Sequence, residues 1–191
     1  MQKIINDWRI FLTEEEGSEY DFYKDKIELD EEGNVTLYHI SCTDNISTMD
    51  PEVSREMAKG YTKREYKSWP RARCFYFTRM GQKDPSVGRI SGMIYETKIP
   101  YDKLYPIYKD PYKLSYPDMK KEFLEITGKD EYDPDTLNVF ERVAFLAEEL
   151  HGKTGFIYPH SRKNEDDIIV AMWKKMPVKK KEIDFYSKEK K

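Results

Sequence analysis

The sequence predicts a single α+β domain, a mixed β-sheet with flanking helices, and three observations predict it. A chain of 191 residues has the length of one domain with a proper core. Runs of aromatic and β-branched residues recur at 35–40, 74–78, 94–99 and 168–173, separated by turn-forming or polar stretches. A strong helical repeat at 135–150 lies between the third and fourth of these runs.

Each element follows from local patterning. At the start, Ile4, Ile5, Trp8, Phe11 and Leu12 fall on one side of a helix, so 1–16 reads as an amphipathic helix able to dock on a partner through Trp8, Phe11 and Leu12. The acidic, glycine-containing TEEEGSEYD places a linker at 17–26, and the domain proper spans 27–178. IELDEEGNVTLYHIS alternates on both sides of EEGN, which supplies the Gly and Asn of a tight turn, so a hairpin ends in strand 35–40. The polar CTDNISTMDP interrupts the pattern, and 52–66 has helical composition with weak periodicity. RCFYFT, bounded by Pro70 and Gly81, is strand-like, as is 92–99 before the breaker Pro100. Segment 101–118 carries Pro106, Pro111 and Pro117 among many tyrosines and reads as extended loop, with a helix restarting at Asp118. Pro134 and Asp135 signal the start of the clearest helix, whose Leu137, Phe140, Val143, Ala144 and Ala147 repeat helically and which Gly152 ends. GFIY and IIVAMW then form a C-terminal hairpin around the polar turn PHSRKNEDD, and 179–191 is a basic tail.

Composition narrows the function classes. Apolar residues are 38% and charged residues 36%, so the core has to be modest and lean on the 15 Tyr, 9 Phe and 3 Trp. No stretch approaches the roughly 18–20 apolar residues that span a bilayer, and the basic start of a secretory signal is missing, so a cytosolic or virion location and no membrane contact are expected. Cys42 and Cys74 lack the spaced Cys or His partners of a zinc site and read as core thiols; no metal is expected. Residues 1–34 hold 11 acids against 4 bases, whereas 174–191 hold 8 lysines against 3 acids. The tail therefore reads first as a solvated chain end and second as a phosphate-contacting segment for nucleic acid.

Chemistry-bearing residues are few. No glycine-rich phosphate loop, paired-histidine zinc motif or nucleophile elbow occurs. Strand alternation puts His39 on the face of Val35, Leu37 and Ser41, where His39 and Ser41 can present two hydrogen-bonding groups to one ligand; a satisfied structural histidine is the alternative. His151 reads as a helix C-cap and His160 as an exposed turn residue. Glu165, Asp166 and Asp167 precede the last strand, either as a solvated turn or as the source of a carboxylate leaning over a cleft.

Four pieces in order carry a resemblance: GNVTLYHISCTDNISTMDP, RCFYFT, MIYETKIPYDKLYPIYKDP and GKTGFIYPHSRKNEDDIIVAMWKKMP. Together they resemble the ADP-ribosyltransferase-like superfamily: an opening strand with a Tyr-His pair, an aromatic strand ending in a hydroxyl residue, a later strand passing into a Leu-Tyr then Asp-Pro loop, and a closing hairpin with an acid before its last strand. The resemblance implies a split mixed β-sheet that holds NAD, as substrate, in a cleft between its halves. It further implies that His39, assisted by Ser41, hydrogen-bonds a ribose, that Tyr76, Phe77 or Thr78 packs beside the nicotinamide, and that Glu165, with Asp167 as the other candidate, stabilises the oxocarbenium-like charge. The target would be a host protein or nucleic acid, and a retained scaffold without catalysis is the other outcome. The opening NDWRIFL is similar to short N-terminal helices of proteins from large tailed phages, which implies a phage-encoded protein.

Overall fold

In a computed structural model, residues 22–41, 43–58, 72–79, 93–128, 139–161 and 164–181 are described, with backbone alone at 57, 58, 161, 164 and 165. The expected N-terminal helix and the Pro134–Asp135 helix start lie outside them.

The chain enters through Tyr23, which is buried, and a 3₁₀ turn at Lys24–Lys26. The linker expected at 17–26 thus ends in core, because the Tyr23 ring joins Ile27 under the sheet. At the next turn the Asp30 carboxylate accepts the backbone N–H of Glu32 and Asn34, and Gly33 takes φ 77°, a left-handed value that suits glycine. The first arm of the expected hairpin contributes a single bridge, Leu29 to Val35. Strand β1 (Asn34–Ser41) follows. The polar 42–51 stretch hides strand β2 (Thr48–Met49) before helix α1 (Pro51–Ala58). Then come β3 (Cys74–Phe77), β4 (Met93–Pro100) and, after a 3₁₀ turn at Tyr101–Lys103, β5 (Leu104–Pro106). Segment 101–118 is therefore part strand, because the buried Leu104 and Tyr105 are drawn onto the sheet edge.

Helices α2 (Asp118–Thr127) and α3 (Val139–His151) lie on the path from β5 to its parallel partner β6 (Gly155–Ser161), a pairing that requires such a crossover. The remaining strands are β7 (Asn164–Met172), β8 (Met176–Pro177) and β9 (Lys179–Lys181). The turn expected at 159–167 is mostly strand: β6 and β7 pair from Gly155–Met172 out to Ser161–Asn164, with an irregularity between Pro159 and Ser161. The basic tail likewise begins as a sheet edge, with Lys179–Lys181 paired to β4.

One seven-stranded mixed sheet results, in the order β5-β6-β7-β3-β1-β4-β9, and β2 pairs with β8 as a separate ribbon. The four strands expected to share a sheet do so. Among the described residues β5 and β6 run parallel and the other paired strands antiparallel. β1 and β4 pair over their full lengths, from Asn34–Pro100 to Ser41–Met93, and β3 pairs along β7, but among the described residues β1 and β3 meet only at Tyr38–Phe77. That single pair is a seam between two half-sheets.

Two core layers sandwich the sheet. One joins Val35, Leu37, Tyr76, Tyr95, Val170 and Met172 to Tyr23, Ile27, Met49 and Met176. The other packs Tyr105, Phe156, Ala171 and Trp173 against α2 and α3 through Phe123, Val143, Ala144, Leu146 and Ala147. α3 ends at Gly152, φ 60°, whose N–H donates to Glu148 while Lys153 N–H donates to Ala147.

Candidate functional site

His39 stands at the seam. Past the Tyr38–Phe77 pair the β1–β3 ladder opens, and the His39 ring reaches across, with Nδ1 2.8 Å from the Phe75 carbonyl oxygen. A carbonyl only accepts, so Nδ1 carries the hydrogen and Nε2 of the neutral ring is an acceptor. Burial lowers the His39 pKa, opposed by the bond to Phe75, so the neutral form prevails at pH 7. The ring centroid lies 5.6 Å from that of Tyr76 at 59°. The alternation read from sequence holds: Val35 and Leu37 are buried, and His39, on their face, is half-buried.

The other expected site residues are placed as follows. Ser41 ends β1, and its Oγ accepts the N–H of Thr43 at 3.1 Å. Tyr76 is fully buried; its hydroxyl has no hydrogen-bond partner among the described residues, and burial raises its pKa. Phe77 pairs with Tyr38 and so lies on the sheet face opposite His39. Thr78 is buried, with its hydroxyl donating to the Ile168 carbonyl at 3.1 Å. Ile168 belongs to the core layer of Tyr76, and the half-buried Asp167 precedes it where the β6–β7 register shifts. Asp166 is exposed and pairs with Lys26 at 3.6 Å. Glu165 lies within β7, one strand beyond β3, and its side chain is outside the described set.

His151 differs from its expected role as a cationic cap. Its ring stacks flat on Tyr112, with centroids 3.6 Å apart, and burial together with the Lys153 ammonium brings its pKa down to about 4. His160 is a half-buried strand residue of β6. The described lysines of the basic segment are largely engaged: Lys174 with Glu148, Lys175 with Asp50, Lys180 with Asp44 and Lys181 with Glu96.

Sequence reasoning missed three features. Asp110 organises the proline-rich loop by accepting from Tyr105, Leu114 N–H and Ser115, and the Asp-Pro dipeptide that opens this turn was a visible signal. Ser54 Oγ lies 3.1 Å from Cys74 Sγ and ties α1 to β3. A cavity of about 600 Å³ opens beside His151, lined from segments around residues 24, 33, 102, 111 and 152 that share no motif. Among the described residues no helix is long and apolar enough to cross a membrane, and no three His, Cys, Asp or Glu side chains gather as a metal site. No family model, curated protein or solved structure matches the chain.

Proposed function

We propose that the chain is an NAD-dependent ADP-ribosyltransferase that modifies a host protein or nucleic acid. The observation that carries the reading is the position of His39, a neutral imidazole fixed by the Phe75 carbonyl where two half-sheets part. With Nδ1 spent on Phe75, Nε2 is left to accept a hydrogen bond, the role a ribose hydroxyl donor calls for. Glu165 sits on β7, which pairs directly with β3, so the acid-bearing strand adjoins the seam-forming one. In the reaction the nicotinamide–ribose bond breaks with its electron pair leaving on nicotinamide. The acceptor nucleophile then bonds to the ribose carbon and loses its proton to solvent. A fixed carboxylate, Glu165 ahead of Asp167, offsets the positive charge that builds on the ribose. The similarity of NDWRIFL to phage N-terminal helices extends the proposal to a phage-encoded protein, acting in the host cytoplasm or carried with the virion.

A second reading, a non-catalytic binding or virion structural protein on the same scaffold, is favoured by the burial of Tyr76 and Thr78. Neither surface is open to a ligand as placed. In that case Trp8, Phe11, Leu12 and the lysine-rich end supply the contacts. A thermal-shift titration separates the two. NAD at ten times its dissociation constant should raise Tm by roughly 3–6 °C, and His39→Ala should abolish most of that rise. An unchanged Tm at millimolar NAD would select the second reading.

A further inference from the structure

The sheet face that carries His39 is roofed at one end by the segment through which the chain enters the sheet. Continuing the antiparallel register from Tyr38–Phe77 sets Leu37 opposite Thr78 and His39 opposite Tyr76, two levels about 7 Å apart along the strands. Tyr23 and Ile27 are buried in the same core layer as Leu37, Tyr76 and Ile168. Thr78, whose hydroxyl donates to the Ile168 carbonyl, is buried at that level too.

Segment 22–29 reaches both sides of the seam. On the β1 side Leu29 bridges Val35. On the side of the other half-sheet Arg79, just past β3, donates through Nη2 to the Lys26 carbonyl at 2.7 Å, and Lys26 Nζ lies 3.6 Å from the Asp166 carboxylate of β7. At the start of the segment the Tyr23 N–H donates to the Tyr101 hydroxyl at 3.3 Å, and the exposed Phe22 ring has the Lys109 ammonium 5.9 Å from its centroid.

The segment is joined to the sheet differently from the strands beneath it. Among the described residues it is tied by one isolated bridge, by side-chain contacts and by the burial of Tyr23 and Ile27, whereas β1 pairs with β4 along its whole length. Side-chain ties part locally, so such a segment opens without unfolding the strands it covers.

We infer that residues 22–29 are an autoinhibitory strap over the proposed transferase site, an inference that rests on that reading. In the closed form Tyr23 and Ile27 occupy the face on which NAD has to lie between His39 and the β7 acids. In the open form the strap lifts, the Arg79–Lys26 and Lys26–Asp166 contacts part, and Tyr76 and Thr78 become accessible. Their burial is then a property of the closed form, and NAD competes with the strap, so its apparent affinity falls by the fraction of chains that are open.

The test combines NAD affinity of the full chain, by equilibrium dialysis, with amide exchange at Lys26, whose N–H donates to the Tyr23 carbonyl at 3.1 Å. Tyr23→Ala removes the larger buried side chain of the strap and should tighten NAD binding about tenfold. Arg79→Ala, at an exposed residue that leaves the core whole, should tighten it about threefold and keeps the test in hand if Tyr23→Ala fails to fold. Ile94→Ala, on the opposite sheet face, should leave the affinity unchanged, which separates strap release from general loosening. Saturating NAD should speed exchange at Lys26 in the parent without speeding it at Val170. NAD that binds the parent and leaves Lys26 exchange unchanged, or affinity no higher in the strap variants, would overturn the strap and leave the transferase reading standing. Binding to the variants with none measurable in the parent would support both. No binding to parent or variants would overturn the transferase reading and the strap with it.

Discussion

The two halves of the sheet bury themselves differently. In the β5-β6-β7-β3 half both faces are covered: Phe156, Ile157 and the run Ile168, Val170, Ala171, Met172 are essentially inaccessible, with α2 and α3 on one side and the Met49–Met176 layer on the other. In the β1-β4-β9 half one face is buried through Val35, Leu37, Tyr95 and Ile99, while Tyr38, Glu96, Lys98 and Lys181 occupy the other. The difference is written in the residues, since strands covered twice read as continuous apolar runs and strands covered once alternate. It also teaches where function can sit: His39 stands where the doubly covered half gives way to the singly covered one.

The largest effect expected is on the doubly covered half. Ile168→Ala should cost about 3–4 kcal/mol by urea unfolding, through lost burial and a cavity that both layers keep from collapsing. Ile94→Ala, on the half-buried edge of the other half, should cost about 1 kcal/mol. Equal losses would mean that the two halves are not differently packed.

Next is the acid. Glu165→Gln should lower ADP-ribose transfer by about two orders of magnitude or more while leaving the fold and most NAD affinity intact, the signature of a group acting in the transition state. Asp167→Asn should do much less. Turnover unchanged in both variants would remove the hairpin acids from the mechanism.

The halves also differ in their response to acid. His151, under the helical layer, has its pKa lowered to about 4 from 6.5, so the unfolded chain takes up the proton first and stability falls as pH drops from 6.5 toward 4. The full loss from this group amounts to about 3 kcal/mol. Asp30, at the turn before β1, is held down to about 2 by the Lys98 ammonium and the Asn34 amide, so its stabilisation is present above pH 3.8 and is lost below it. Unfolding free energies of His151→Gln against the parent between pH 7 and 3 should therefore lose the His151 share of the upper slope, leave the share of His39, and keep the lower part. A slope unchanged by the substitution would place the upper transition elsewhere.

The smallest effect belongs to the open face. Lys181 Nζ pairs with Glu96 at 2.7 Å and lies 5.4 Å from the Tyr38 ring centroid, yet as a half-buried contact at the sheet surface it should be worth under about 1 kcal/mol, most of it screened by molar salt. Lys181→Ala measured at low and high salt checks this, and a loss that persists in high salt would point instead to packing of the lysine stem at the β9 edge.

By itself the sequence determined what local periodicity encodes. The alternation of 35–40 and 93–99, the apolar run 168–173, the restart at Asp118 and the helix ending at Gly152 all stand in the structure, because a repeat of two or of about 3.6 residues selects a face without knowing what will cover it. Tertiary structure decided whatever depends on a partner distant in the chain. Leu104–Pro106 became a strand because β6 offered an edge, Thr48–Met49 because Met176–Pro177 lay opposite, and Lys179–Lys181 because β4 had one edge left. The same holds for the acids, which read as a turn and proved to be strand once β6 extended alongside them. His39 follows this rule most closely: its face was legible from alternation, but its bond to Phe75, 36 residues away, and hence its fixed tautomer, arose only when β1 and β3 met.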